Sequence, residues 1–217
     1  MTASTDASCV IHLVRHGQTL MNADVRFRGR RDVPLNRVGR REAIMAGRTL
    51  AGANLDAVYA SPLGRALEVG TALAAAAGLD DVIEVEDLVN LDYGRWEGLT
   101  AAQSAEVDPA AWQAYLTDPE HATCPAGESL AAAADRVVNG LRELGARHPG
   151  GNVAAVSHGV MLRLAVLRVH GRTEPDWQFR ISTGGSLVFT VRDGIVRLAS
   201  HVPAGSRTDS LPKATSA

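Results

Sequence analysis

Cysteine is scarce in this sequence, and lysine is absent from its body. Cys9 and Cys124 are the only cysteines among the 217 residues, too few for a disulfide scaffold and without the spacing of metal ligands. We therefore expect a reducing, cytoplasmic setting. Lys213, in the C-terminal tail, is the only lysine. The body thus relies on arginine, whose planar guanidinium suits carboxylate and phosphate partners.

Long apolar runs and an excess of one charge are missing as well. No apolar run reaches the roughly 18 to 20 residues that cross a bilayer, and the first residues lack the pattern of a secretory signal. The 22 Lys and Arg residues nearly balance the 24 Asp and Glu residues, which gives no whole-molecule signal for nucleic acid or membrane. Neither is expected as a partner, and the oligomeric state stays open.

Strand-like apolar runs alternate with helical patterns along the chain. The predicted strands cover 10–14, 57–60, 82–85 and 153–156, and the predicted helices cover 38–50, 63–77, 130–147 and 160–170. A hairpin is predicted over 186–200, turned by Asp193-Gly194. This alternation is typical of an α/β fold, a three-layer α/β/α sandwich around a mostly parallel sheet.

Two kinds of segment interrupt this alternation. Residues 87–127 hold all but one of the three tryptophans and all but one of the three tyrosines. They are predicted to form an insertion that lies over the active site at the sheet edge. The Ser-, Thr- and Ala-rich ends predict disordered tails over 1–8 and 206–217. One domain over 9–205 remains.

Two of the predicted strands end in the same dipeptide. The first leads into Arg15-His16-Gly17 and the last parallel strand into Ser157-His158-Gly159. Ligands of open α/β sheets bind beyond the carboxyl ends of the strands, so both imidazoles should face one crevice. The cationic Arg15 should disfavour protonation of His16 and keep its ring a neutral nucleophile. Two unrelated core histidines are the alternative, and the matched positions favour the functional interpretation.

An anion site is predicted where the helix at 63–77 begins. Ser61 and Pro62 have the residue types of an N-cap and a first helical position, and Arg65 follows in the first turn. A cation there opposes the helix dipole unless an anion occupies the site. Free backbone N–H groups beside a guanidinium suit a phosphoryl group. A lone surface arginine is the alternative interpretation.

Arginine is concentrated between positions 26 and 41, where Asp32 is the only acidic residue. A nucleic-acid patch would explain this run, but no binding motif surrounds it and Phe27 is its only aromatic residue. We expect Arg26 and Arg28 to border the anion site. The arginines of the following helix are expected to form a solvated face: Arg37, Arg40 and Arg41.

Four short motifs follow one another over about residues 10–160. They are Arg15-His16-Gly17-Gln18-Thr19 with Asn22 and Arg28-Gly29, then Ser61-Pro62-Leu63-Gly64-Arg65-Ala66, then Tyr93-Gly94-Arg95-Trp96-Glu97-Gly98, and finally Ser157-His158-Gly159. In this order they resemble the motifs of the histidine phosphatase superfamily, the phosphoglycerate mutase-like group, and within it the small bacterial phosphatases. Four ordered matches together are highly specific.

The resemblance implies a metal-independent phosphatase that needs no cofactor. It would hydrolyse a small phosphorylated metabolite through a phosphohistidine intermediate at His16. Arg15, Arg65 and His158 would bind the phosphoryl oxygens and stabilise the charge of the transition state. The other matched positions are expected to contact phosphate or substrate: Gln18, Asn22, Arg28, Gly29 and Gly159.

One position departs from the family pattern. Relatives usually carry a glutamate four residues before the glycine of the third motif, as a general acid for the leaving oxygen, and this position is Asn90 here. An amide can orient a substrate group but cannot deliver a proton, and losing a general acid costs about 10²- to 10⁴-fold in rate. Asp92 would share a face with Asn90 in an extended segment and is the predicted substitute. A substrate with a good leaving group is the other solution.

Two further functions stay open. A phosphoglycerate-type mutase would share the motifs, although the short insertion favours a phosphatase. A degenerate phosphatase that binds a phosphorylated ligand or partner without efficient turnover would explain Asn90, although a pure binding role does not require His16.

Overall fold

The computed structural model describes residues 7–23, 26–170, 177 and 179–202, and at 22, 23, 201 and 202 it describes the backbone alone. The strands are β1 (Cys9–Arg15), β2 (Ala57–Ala60), β3 (Ile83–Glu84), β4 (Asn152–Ser157), β5 (Ser186–Arg192) and β6 (Ile195–Val202). The helices are α1 (Leu20–Ala23), α2 (Arg37–Leu50), α3 (Gly64–Ala77), α4 (Ala101–Val107), α5 (Pro109–Thr117), α6 (Leu130–Arg147) and α7 (Gly159–His170). Most of the predicted tails lies outside the described residues, so the domain limits stay predictions.

The strands form one mixed sheet in the order β3-β2-β4-β1-β5-β6. β3, β2, β4 and β1 run parallel to one another, and β5 and β6 add an antiparallel hairpin beside β1. The prediction of an α/β fold with a mostly parallel sheet is confirmed. The strand predicted over 82–85 shrinks to Ile83–Glu84, because these two exposed residues pair with β2 alone at the sheet edge.

Alternate residues of β4 show that helices cover both faces of the sheet. Val153 and Ala155 belong to a core that includes residues of α6 and α7, whereas Ala154 and Val156 belong to a second core with residues of α2 and α3. Successive side chains of a strand point to opposite faces. The three-layer arrangement follows from this alternation. No helix of the described part is long and apolar enough to cross a bilayer.

Local signals account for the helix limits. Asn36 caps α2 by accepting a hydrogen bond from the Gly39 N–H, and Ser129 caps α6 by accepting one from Ala132. Helix α6 has the bounds that the sequence predicts. The segment between β3 and α6 carries α4 and α5, and the α5 side chains Trp112 and Tyr115 pack against Phe27. It supplies one side of the cavity described below.

The register of β1 and β4 places the two His-Gly dipeptides side by side. Arg15 is the direct partner of Ser157 across the parallel pair, and the His16 N–H donates to the Ser157 carbonyl oxygen at 3.0 Å. Residues that follow paired positions emerge at the same edge of the sheet. His16 and His158 therefore begin the same crevice.

Candidate active site

The structure brings the two predicted histidines together at the carboxyl ends of β1 and β4. Their ring centroids lie 5.1 Å apart with the planes tilted by 58°, and both side chains are buried. His158 lines a cavity of about 410 Å³. His16 does not line the cavity wall and is fully buried beside His158. Of the two rings, His158 faces the cavity, and His16 lies directly against it.

The hydrogen bonding of His16 fixes which nitrogen is free. Its Nδ1 lies 2.6 Å from the Gly17 carbonyl oxygen, and because a carbonyl only accepts, Nδ1 carries the proton. Its Nε2 is buried and has no hydrogen-bond partner. Burial lowers the pKa of His16 well below its usual value, and the positive charges of Arg65, Arg28 and Arg15 lower it further. His16 is therefore neutral, with an unengaged lone pair on Nε2.

His158 is held through the opposite nitrogen. Its Nε2 lies 2.8 Å from the Ser61 hydroxyl, while its Nδ1 is buried without a partner. The Ser61 oxygen accepts from the Leu63 N–H at 3.4 Å, and its hydroxyl can donate to Nε2 of His158. Burial, and then Arg65, lowers the pKa of His158 well below its usual value. The neutral ring is thus set up to present an Nδ1–H donor.

Ser61 has a different role from the predicted one. The sequence predicts it as the N-cap of α3, but this helix begins at Gly64, with Leu63 as a cap that makes no side-chain hydrogen bond. Ser61 is fully buried and directs its hydroxyl to His158. A serine is equally common as a helix cap. Only the contact with His158, far away in the sequence, shows that Ser61 belongs to the site.

Three arginines surround His16 and are here called the inner arginines: Arg15, Arg28 and Arg65. Each has a buried Nε without a partner, and burial is the largest cause that lowers the pKa of each to about 10. They stay cationic at neutral pH. Within the described part of the chain, none of them forms an ion pair with a carboxylate. An unpaired buried cation is costly, and an anionic ligand would relieve that cost.

The beginning of α3 differs from the prediction in one further respect. The Gly64 N–H at the helix start donates to the Asp32 carboxylate at 3.0 Å. The chain itself therefore supplies an anion there. Arg65 reaches the site by another route, because its guanidinium donates to the carbonyl oxygens of Arg31 at 2.6 Å and Gly29 at 2.8 Å. Arg65 therefore lies beside His16, whereas the Gly64 N–H is bonded to the Asp32 carboxylate instead.

Asn90 and two glycines of the motifs lie close to the inner arginines. Asn90 lines the cavity, its Nδ2 donates to the Gly29 carbonyl at 2.9 Å, and its Oδ1 is buried without a partner. Gly29 adopts a φ of 55°, which favours glycine. Gly159 lines the cavity at the start of α7, and a Cβ there would lie 2.9 Å from the Arg15 Nε. A side chain at position 159 would displace that guanidinium.

Two predicted contact residues, Asp92 and Gln18, do not line the cavity. The Asp92 carboxylate accepts from the Gly94 N–H at 2.8 Å, inside a turn, and does not line the cavity. The Gln18 side-chain oxygen accepts a hydrogen bond from the Asn36 side-chain amide at 2.8 Å, so Gln18 contacts the N-cap residue of α2. The side chain of Asn22 lies outside the described residues. The structure places Asn90, and not Asp92, beside the ligand space.

The sequence interpretation missed two cationic residues of the cavity, Arg163 and Arg180. Arg163 lies one helical turn beyond Gly159, a spacing that puts both on one face of α7, so its position was readable from the motif. Arg180 belongs to a segment without regular structure, which also contributes Phe179 and Ile181 to the cavity. No local pattern marks that segment.

Groups that could bind a metal ion were sought over the same residues. In the described ranges, no cluster of three or more His, Cys, Asp or Glu side chains is arranged to hold one.

The arginines that the sequence predicts to form a solvated helix face are exposed. Arg37, Arg40 and Arg41 all lie on the exposed side of α2.

A neutral histidine lies among buried arginines at the carboxyl edge of an α/β sheet, an arrangement that suits an anionic ligand. The chain belongs to the histidine phosphatase superfamily (branch 1), whose family model matches residues 11–202.

Curated relatives agree with this assignment. The bifunctional protein Rv2228c of Mycobacterium tuberculosis is 40% identical over 159 residues, which are 71% of this chain and 43% of that protein. The chain therefore spans less than half the length of these mycobacterial relatives. A metal-independent phosphoserine phosphatase of Arabidopsis thaliana is 35% identical over 161 residues, which are 73% of this chain and 68% of the relative.

Solved structures share the fold over nearly the whole chain. Bacillus stearothermophilus YhfR superposes with a TM-score of 0.80 at 27% identity and covers 92% of this chain and 98% of its own. The mycobacterial glucosyl-3-phosphoglycerate phosphatase Rv2419c, in a complex with VO3, gives a TM-score of 0.75 at 27% identity, with 92% and 100% covered.

Proposed function

We propose that this chain is a metal-independent phosphatase that hydrolyses a small phosphorylated metabolite through a phosphohistidine at His16. One observation carries the proposal. The buried Nε2 of His16 holds an unengaged lone pair, because Nδ1 carries the proton and the pKa of the ring is lowered. Relatives named phosphoserine phosphatase and glucosyl-3-phosphoglycerate phosphatase support a phosphomonoester as the substrate.

The first step forms a bond between Nε2 and phosphorus as the bond from phosphorus to the leaving oxygen breaks. The inner arginines and the Nδ1–H of His158 would bind the three non-bridging oxygens and stabilise their charge. Water then attacks the phosphohistidine, which releases inorganic phosphate and restores the neutral ring. The proton balance is completed when the leaving oxygen takes one proton and the attacking water gives one up.

Asn90 takes the position of the usual glutamate in this scheme. Its Nδ2 is already bound to the Gly29 carbonyl and its unpartnered Oδ1 accepts only. Asn90 can therefore orient a donor of the substrate, but it cannot protonate the leaving oxygen. We accordingly propose slow turnover of alkyl phosphates and faster turnover of aryl phosphates, whose leaving groups need no proton.

The degenerate-phosphatase alternative rests on the same residue. If Asn90 suppresses turnover, the inner arginines and His158 still form an anion site that would bind a phosphorylated ligand. A protein that only binds the ligand forms no phosphoenzyme, whereas a slow phosphatase does.

Acid-quenched protein that has been incubated with a radiolabelled phosphomonoester tests the proposal. We expect base-stable, acid-labile protein phosphate in the wild type and none in His16→Ala. His148→Ala is the matched control, because His148 contacts Tyr59 and not the cavity. Label that persists in His16→Ala would remove His16 from the nucleophilic role. Release of free phosphate, unchanged by a chelator, separates a metal-independent phosphatase from a mutase.

The setting of the protein also stays a proposal. Both cysteines are free and buried, as expected for a cytoplasmic protein, and no role for nucleic acid or membrane enters the scheme.

A further inference from the structure

Asn90 lies on a stretch of chain with little regular structure, residues 86–92, here called the Asn90 segment. One turn of 3-10 helix covers Glu86–Leu88, and residues 89–93 form neither helix nor strand. The Asn90 side chain nevertheless lies in the cavity wall, where it shares the Gly29 carbonyl oxygen with Arg65. Side chains on irregular backbone keep a fixed place only when other elements hold that backbone. The contacts of the Asn90 segment therefore decide how well position 90 is placed.

Arg136 of α6 binds two carbonyl oxygens of the Asn90 segment. Its Nη1 donates to Asp87 at 3.0 Å and to Val89 at 2.9 Å. The other edge of the guanidinium forms a bidentate ion pair with Glu128, in which Nε lies 3.0 Å from Oε1 and Nη2 lies 3.0 Å from Oε2. Only 18% and 15% of the two side chains are exposed. The planar fork of arginine suits this double contact, whereas the ammonium of lysine is a point charge.

Two further side chains bind the neighbouring carbonyl oxygens. The Ser157 hydroxyl, at the end of β4, donates to the Leu88 carbonyl at 2.7 Å. Arg30 donates to the carbonyl of Asn90 itself at 3.4 Å. The four successive carbonyl oxygens of residues 87–90 are therefore each bound by a side chain that is distant in the sequence. Because Ser157 precedes His158, one of these contacts joins the Asn90 segment to the strand end that carries a site histidine.

Glu128 binds the chain just beyond Asn90. Its Oε2 accepts from the Asp92 N–H at 3.3 Å, and its own N–H donates to the Asp92 carbonyl at 3.0 Å. Asn90 thus lies between two bound stretches of backbone. The ion pair of Glu128 with Arg136 joins the contacts on the two sides.

We propose that Arg136 is a positioning residue of the active site, which sets the place of the side chain at position 90 through its bonds to the Asn90 segment and to Glu128. Arg136 is not among the residues that line the cavity, so it acts only through the backbone and the carboxylate that it binds. The kinetic part of the test below rests on the proposed function, and the NMR part does not.

An effect of charge is the alternative to this geometric role. Burial is the largest cause that lowers the pKa of His158, and Arg136 contributes through its positive charge. Arg136→Lys keeps the charge but loses the planar fork. This variant therefore separates the two explanations, and by keeping a partner for Glu128 it also protects the fold.

The gain from a carboxyl group at position 90 measures how well that position is held. Asn90→Glu should raise kcat on glycerol 3-phosphate by about 10²- to 10⁴-fold, because it supplies a general acid. In the Arg136→Gln and Arg136→Lys backgrounds this gain should shrink by up to about 100-fold, since a displacement of about 1 Å can cost that much. Partial unfolding would lower the activity with and without Asn90→Glu alike, and their ratio would not change.

Arg142→Gln is the matched control, because Arg142 lies on the same helix and donates to the Gly194 carbonyl in the β5–β6 hairpin at 3.1 Å. It should leave the gain unchanged. If Arg136→Lys shows the full gain of the wild-type background, the charge suffices and the positioning role is wrong. This outcome decides the question even where Arg136→Gln does not fold.

An NMR measurement on the unliganded protein tests the same role without catalysis. The Asn90 side-chain amide donates to the Gly29 carbonyl at 2.9 Å, so it should exchange its bound proton slowly with solvent. Arg136→Lys should speed this exchange by about 10-fold, the usual contribution of one hydrogen bond, while the backbone amides of β4 stay protected. Equal exchange in the wild type and Arg136→Lys would overturn the positioning role. If Asn90→Glu gives no gain in the wild-type background but the exchange responds, the proposed function fails and the positioning role stands.

Discussion

His16 and His158 end neighbouring parallel strands, and each is followed by glycine, yet the structure engages opposite nitrogens. The Gly17 carbonyl holds Nδ1 of His16, whereas the hydroxyl of Ser61 holds Nε2 of His158. Nε2 of His16 and Nδ1 of His158 are therefore the free atoms. The same dipeptide thus leaves Nε2 unengaged at one strand end and Nδ1 unengaged at the other.

The difference lies in the partner and not in the ring. A carbonyl oxygen only accepts, so it forces the proton onto the nitrogen that it contacts. A hydroxyl both donates and accepts, and where it donates, the ring proton lies on the distant nitrogen. Both histidines are neutral, because burial and the surrounding arginines lower their pKa values. Neither ring is therefore an acid for the leaving oxygen.

The variant with the largest expected effect introduces the acid that neither histidine provides. Asn90→Glu should raise kcat on an alkyl phosphate by about 10²- to 10⁴-fold, because a carboxyl group can protonate the leaving oxygen. The gain on an aryl phosphate should be much smaller. Steady-state kinetics with glycerol 3-phosphate and phenyl phosphate measure both. Asn90→Gln, an amide of the same length, is the control, and an equal gain with it would refute the role of the carboxyl.

His158→Ala separates the two strand ends. Loss of a donor to the transition-state oxygens should lower kcat by about 10²- to 10³-fold. The phosphoenzyme should still form, because Nε2 of His16 remains. Rapid acid quenching measures the rate of its appearance. Complete absence of phosphohistidine in His158→Ala would show that the two rings do not have separate roles.

Ser61→Ala tests how the proton of His158 is placed. Loss of the hydroxyl leaves Nε2 without its partner and frees the ring to present either nitrogen, so kcat/KM should fall by about 10-fold. Ser104→Ala is the matched control, because Ser104 is equally buried but bonds to the Thr100 carbonyl. An NMR measurement of the His158 ring nitrogens should show the protonated nitrogen change in Ser61→Ala only. If the tautomer of His158 is the same in Ser61→Ala as in the wild type, Ser61 has only a packing role.

The smallest effect is a difference in titration. The pKa values of His16 and His158 are lowered, so both rings should stay neutral as the pH falls from 8 through the usual value of 6.5. Exposed His121 has a raised pKa beside Asp118, and it should gain its proton above that pH. Ring-proton NMR between pH 8 and 5 compares them. If His16 titrates with His121, the neutral nucleophile is wrong.

Much of the fold follows from local pattern. Helix α6 and strands β2 and β4 lie where periodicity predicts them, because each carries a full apolar face and α6 has a capping residue in Ser129. Strand β3 is shorter than predicted, since its two exposed residues form pairs with one neighbour only. The beginning of α3 was misassigned because Ser61 has the residue type of a cap and the distant partner of a site residue.

The candidate site, like the fold, was only partly predictable from the sequence. The sequence located His16, His158, Arg15 and Arg65, since each lies beside a strand end or a helix start. It also named Asp92, whose carboxylate accepts from the Gly94 N–H and does not line the cavity. It overlooked Arg180, whose segment has no periodicity and joins the cavity only through tertiary contacts.

The sequence by itself determined the class of fold, the pair of histidines and the cations beside them. These are properties of residue type and spacing, and backbone hydrogen bonds and apolar periodicity act locally. Only the tertiary structure decided which nitrogen of each histidine is free and which arginines lack a carboxylate partner. Those properties depend on residues far apart in the chain, such as Ser61 beside His158. Packing brings such residues together, and no local pattern encodes the contact.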